Sequence, residues 1–196
     1  MDAIDFPKTI VKFDEILERG LSKGLGQRDG QMCIEAAICA ALDLPHGDNP
    51  TCVAVAIRKF KIKLNDSAWS SPTARATGLR DLGIAQIGSL GIVDDQAFAT
   101  RMTLKTINVL IPDVFRKVFS SNPAMLQLAM NCEAAQDLPD AAARAARAAR
   151  AAGAAGTAAR VAGAAWAAGG DYYLNLSAKL ALETLQELKS PGCEWI

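Results

Sequence analysis

Histidine is almost missing from this chain: His46 is the single one among 196 residues, so a reaction needing an imidazole base has one candidate. A surplus of either charge is missing too. Lysine plus arginine equals aspartate plus glutamate at 21 each, which leaves no global field to draw the chain onto nucleic acid or an anionic membrane. No cysteines are spaced C-x-x-C, and none pairs with a histidine at zinc-site spacing. The five cysteines, Cys33, Cys39, Cys52, Cys132 and Cys193, form an odd set that suits reduced thiols in the cytoplasm. The start, MDAIDFPKTIVKFDEILERG, has no apolar stretch of the kind a signal peptide needs. The nearest thing to a membrane run, 151–168, is mostly alanine and carries Arg160 and several glycines, so no membrane helix is expected. Phosphate loops, dinucleotide glycine fingerprints, GxSxG elbows, HExxH helices and calcium loops are absent as well.

What is present is helix punctuation. Pro7, Pro50, Pro72, Pro112, Pro123 and Pro139 each stand where a first helical turn can begin, since proline at that position loses no hydrogen bond. Asn49, Ser71 and Asn122 precede three of them and offer capping oxygens. These marks predict helices over roughly 8–22, 30–43, 50–62, 72–90, 95–110, 112–120, 123–136, 140–168 and 171–189. Strand signals are weak. Val53, Val55 and Ile57 alternate with small residues, and Ile62-Lys63-Leu64 is compatible with an extended chain, leaving a short strand pair as the alternative there. Lys59, Lys61 and Lys63 would share one face of a strand and scatter on a helix. Gly78, Gly83, Gly88 and Gly91 lack phosphate-loop spacing and suit close helix contact.

After Pro139 the composition turns to DAAARAARAARAAGAAGTAARVAGAAWAAGG, which alanine's helix propensity makes a long helix. Its arginines at 144, 147 and 150 step round the axis by ~60° each and cannot share a narrow face. Gly169-Gly170-Asp171 supplies a stop, a turn and a cap before a final helix carrying Leu174, Leu176, Leu180, Leu182, Leu185 and Leu188 as apolar partners for the alanine-rich helix. The expected fold is therefore all-α, a multi-helix bundle comprising a helical body at 1–137 and an alanine-rich helical hairpin at 138–196, packed as one unit.

Chemistry concentrates in two segments, 27–52 and 64–82. In the second, Ser70 and Ser71 end a loop, Pro72 starts a helix, Arg75 and Arg80 follow along it, and Trp69 offers a stacking face; free amides beside guanidinium groups favour an anion such as a phosphate or nucleotide. The competing reading makes Ser71 a plain cap and Trp69 a core plug. In the first segment, Cys33 falls in the first turn of a helix opened by Asp29-Gly30, where amides and the helix dipole favour a thiolate. A cysteine enzyme would then use Cys33 as nucleophile, His46 as base and Asp48 or Glu35 as orienter. Against this, the helix carries Cys39, Ala36, Ala37, Ala40 and Leu42 and reads as buried, and free cysteine behaves as a small hydrophobe. A metal site from Cys33, Glu35, His46, Asp48 and Cys52 has no recommending spacing.

With GQMCIEAAIC, LPHGD, LNDSAWSS and SPGCEWI in view, the chain resembles a group of small proteins of bacteria and their phages over most of its length. A phage association implies a host-defence antagonist, such as a sponge that sequesters nucleotide signals. The alanine and arginine-rich stretch resembles helices of bacterial immunity proteins, which implies a protein inhibitor. The first expectation is accordingly a non-enzymatic, oligomeric binding protein that captures a small anionic ligand or a protein partner through Trp69, Ser70, Ser71, Arg75 and Arg80, without cofactor or metal. The alternatives are the Cys33 enzyme and the immunity-like inhibitor.

Overall fold

A computed structural model describes residues 4–154 and 170–196. The fold is all-α. In order, the helices are α1 (Phe6–Leu17), α2 (Ile34–Ala41), α3 (Val55–Asn65), α4 (Pro72–Ala85), α5 (Asp95–Lys105), α6 (Ile111–Val118), α7 (Pro123–Glu133), α8 (Leu138–Ala154) and α9 (Gly170–Glu187), followed by a 3-10 turn (Pro191–Trp195). Among the described residues extended pairing is limited to isolated bridges from Met32 to Leu21 and Gly26. The alternative strand pair does not form: Val55, Ile57 and Ile62–Leu64 all lie in α3, where Ile57, Lys61 and Leu64 fall on one buried face at helical spacing. No described helix is long and apolar enough to cross a membrane.

Caps explain most of the starts. Ser71 Oγ accepts from Ala74 N–H at 3.0 Å and Asn122 Oδ1 from Met125 N–H at 3.3 Å, opening α4 and α7 one residue before Pro72 and Pro123. Asp5 does the same for α1 through Lys8 N–H at 3.1 Å. Pro50 starts nothing; it lies in a turn closed by Val53 N–H donating to its carbonyl, and α3 begins only at Val55. Pro112 stands in the first turn of α6, as expected, although that helix has no free start. α5 runs into α6 through a π turn at Thr106–Leu110, a wider ladder that tolerates the N–H that proline lacks.

The chain divides into two compact units, Met1–Ala99 with Ala181–Ile196, and Thr100–Leu180. This differs from the division at 137–138 expected from composition. Of the alanine-rich stretch, α8 belongs with α6 and α7, and the end of the chain belongs with the first helices. The hairpin turn expected between 140–168 and 171–189 rests on 155–169, outside the described residues.

In the first unit α2 is the centre. Ile34 through Cys39 are all buried, as a helix apolar on every side demands, and α1, α3 and α4 pack around it. Gly83 of α4 makes the closest approach: a Cβ there would stand 2.7 Å from Phe13 Cζ of α1. The final segment closes this unit. Gly192 N–H donates to Ile87 O at 3.1 Å, Ser190 Oγ donates to Ala85 O, and Trp195 stacks on Phe6 with ring centroids 5.3 Å apart. The second unit has its own core of Ile107, Phe115, Met125, Ala129, Cys132 and Ala141.

Candidate functional site

α2 starts later than its sequence suggests. Residues 28–30 form a turn, and Cys33 is the N-cap, its Sγ accepting from Ala36 N–H at 3.3 Å. Burial pushes the thiol pKa up, and the amides of Ala36 and Glu35, which act in the opposite sense, do not reverse it. Desolvation therefore overrides the helix-start effect expected for this thiol.

In the first turn of α2, Glu35 is wholly buried and meets Lys61 of α3, also wholly buried, with Nζ to Oε1 at 3.5 Å. Gln86, just beyond α4, donates from Nε2 to Glu35 Oε2 at 2.9 Å. Burial raises the Glu35 pKa while Lys61, Gln86 and Arg58 lower it; burial likewise depresses Lys61 while Glu35 raises it. Cys33, Cys39 and Cys52 complete the surroundings, and burial lifts Cys39 to about 11. An ion pair in so apolar a place is a concentration of titratable groups of the kind that functional sites use, and structural networks share the same signature.

The C-terminal end of α3 meets the start of α2 beside this pair. Asn65, itself fully buried, accepts from Ile34 N–H at 3.2 Å through Oδ1 and donates from Nδ2 to Ser22 O at 3.0 Å and to Asp66 Oδ1 at 2.9 Å. Asp66 Oδ1 also accepts from Gly24 N–H at 2.8 Å. Between these elements opens a small pocket of ≈ 40 Å³, lined by Leu25, Cys33, Glu35, Asp48, Asn65 and Asp66 among others. It is far below the usual range for drug-sized ligands, about 300 to 1,000 Å³, and admits one small group of a larger molecule. The segments 27–52 and 64–82 thus share one cleft.

The expected anion set is placed differently. Trp69 is buried, its Nε1–H donating to Leu64 O at 2.9 Å. Ser71 caps α4, and Ser70 is exposed. Arg75 turns inward, donating from Nε to Asn65 O at 2.8 Å and from Nη1 to Leu21 O at 2.7 Å. Arg80 forks onto Asp14 at 2.7 Å through both Nε and Nη2 and reaches Asp81 at 3.0 Å. Both guanidinium groups are thus engaged within the protein, Arg75 as the donor that satisfies the α3 terminus and Arg80 as a bidentate clasp between α4 and α1.

Of the cysteine-enzyme set, Cys33 and Asp48 line the pocket, whereas His46 is half-buried outside the lining. Among the described residues no group of three or more histidine, cysteine, aspartate or glutamate side chains is arranged to hold a metal, which removes the Cys33, Glu35, His46, Asp48 and Cys52 set. Gln86 is not among the residues singled out in the sequence, and Lys61 enters there only beside Lys59 and Lys63. The available signal was a lysine at a core position, four residues after Ile57 and three before Leu64, and a glutamate inside an otherwise apolar helix.

Compared with family models, with curated proteins and with solved structures, the chain has no match.

Proposed function

We propose that this chain is a binding protein without chemistry of its own, seating one small polar group of a ligand in the pocket between the start of α2 and the end of α3. The observation that supports the reading is the pocket itself: it joins both polar segments of the sequence and backs onto the buried Glu35 and Lys61 pair. Asp48 and Asp66 on its lining disfavour a phosphate there and favour a group that donates hydrogen bonds or carries positive charge. This moves the ligand class away from the anion expected at α4.

Leu25 is 43% exposed on the pocket rim, so Leu25→Trp fills the opening without disturbing the core. Native mass spectrometry after incubation with a metabolite extract should show a retained small molecule on the wild type and none on Leu25→Trp. A bare wild-type mass, or an adduct indifferent to Leu25→Trp, counts against the pocket. Oligomerisation belongs to the same reading. Leu90 and Ile92, 48% and 60% exposed, are displayed on a loop pinned by Leu90 N–H to Cys52 O and by Ala54 N–H to Ser89 Oγ, both at 3.0 Å. Light scattering on wild type and Ile92→Asp tests it: a monomeric wild type removes it.

The Cys33 enzyme is the second reading, favoured by the placement of its Sγ at a helix N-cap on the pocket wall. It requires a thiolate that burial opposes. Iodoacetamide labelling of Cys33 at neutral pH, faster than global unfolding, would support the enzyme; labelling only on unfolding would support the binder.

A further inference from the structure

A second site, independent of the pocket, lies within the unit Thr100–Leu180. Lys117, in the last turn of α6, places Nζ 3.1 Å from the centre of the Tyr172 ring and 5.2 Å from that of Tyr173. The two rings stand in the first turn of α9, crossed at 83° with centroids 5.2 Å apart. Asp113, one turn before Lys117 on α6, brings Oδ2 to 3.0 Å from the same Nζ. Two π systems at a steep angle beside one carboxylate are the arrangement with which proteins recognise organic ammonium ions.

Exposure separates the walls from the occupant. Tyr173 is 3% exposed and fixes one wall, whereas Tyr172 is 48% exposed and the Lys117 side chain 46%. The ammonium therefore sits at an open mouth. An exposed lysine–aspartate pair one helical turn apart contributes little and does not by itself lock a flexible lysine. Lys117 is an occupant held by its tether, at an effective concentration on the order of millimolar, in a seat of which the Tyr173 wall is buried in its own right.

We propose that Asp113, Tyr172 and Tyr173 form a receptor for a quaternary alkylammonium group, which Lys117 occupies from the protein's own chain until such a ligand displaces it. A quaternary ion is favoured over a primary one because it is weakly hydrated and gives up little to reach the ring faces. The carboxylate supplies the long-range attraction and the rings supply the short-range fit.

Nuclear magnetic resonance on the full chain, with tetramethylammonium as the probe, tests this. In the wild type the Lys117 ε-methylene protons should be ring-current shifted by Tyr172, and saturating probe should return them to the position of a free lysine while the Tyr172 ring protons move. In Lys117→Met the Tyr172 shifts should saturate at about tenfold lower probe, because the tethered competitor is gone. The double variant Lys117→Met/Tyr172→Ala should not respond. If Lys117→Met, folded by its dispersed amide spectrum, responds to tetramethylammonium no more than to sodium, the proposal fails. Should that variant not fold, the wild type decides: Lys117 protons that stay in place at saturating probe overturn it.

Discussion

In the first unit the Glu35 and Lys61 pair lies at zero exposure against the central helix, whereas in the second the pairs Arg116–Glu133 and Arg144–Asp140 stand at the surface around a core of carbon and sulfur. Charges left in water are nearly neutral for stability, so the second unit is held by Phe115, Met125 and their neighbours. Charges taken out of water bind their surroundings to one arrangement, because losing either partner strands the other. The first unit therefore depends on individual polar residues in a way that the second does not, and its pocket adjoins that dependence.

The largest test is Lys61→Met, which should remove about 3 to 5 kcal/mol in chemical denaturation by leaving Glu35 buried and unpaired. Adding Glu35→Met should restore most of the loss. The sign with pH is fixed. Without Lys61 the Glu35 pKa is raised further in the folded state, so the folded form holds its proton more tightly than the unfolded one. Stability of Lys61→Met is then greatest below the unfolded carboxylate pKa and declines as pH rises through the folded value; a deficit that shrinks between pH 5 and pH 8 contradicts this. Arg75→Met comes next, at about 2 to 3 kcal/mol, since Asn65 O and Leu21 O lose a charged donor inside the protein. Gly83→Ala should lose roughly 1 to 3 kcal/mol in thermal melts because the new methyl group meets Phe13. Glu133→Gln, in the second unit, should have the smallest effect. Arg116 holds the Glu133 carboxyl below its ordinary value, so the pair's contribution is present above that value and vanishes as pH falls through the lowered one. Wild-type and Glu133→Gln melting curves should converge in acid. A loss at neutral pH as large as that of Lys61→Met would erase the contrast between the units.

Local chemistry explains which parts were legible in the sequence. Ser71-Pro72 and Asn122-Pro123 named two helix starts to the residue, because a cap and an N1 proline act over a few positions. Asn49-Pro50 carried the same letters and opened no helix. The polar segments at 27–52 and 64–82 were recognisable as unusual, and they do line the pocket. The roles within them were not legible: whether Arg75 faces a ligand or the carbonyls of Asn65 and Leu21 is decided by where α3 ends in space. The Glu35–Lys61–Gln86 group depends on residues from three elements meeting, and neither helical period nor residue type specifies that encounter.

The clasp formed by Ser190, Gly192 and Trp195 also sets an order of events during synthesis. Residues 1–99 leave the ribosome well before 181–196, which complete the same unit. Until that tail arrives, the carbonyls of Ala85 and Ile87 and the ring of Phe6 wait without their final contacts. The nascent first unit must therefore remain soluble while the whole of 100–180 is made, and stalled or truncated chains should be handed to chaperones and proteases more readily than chains cut within the second unit's own surface loops.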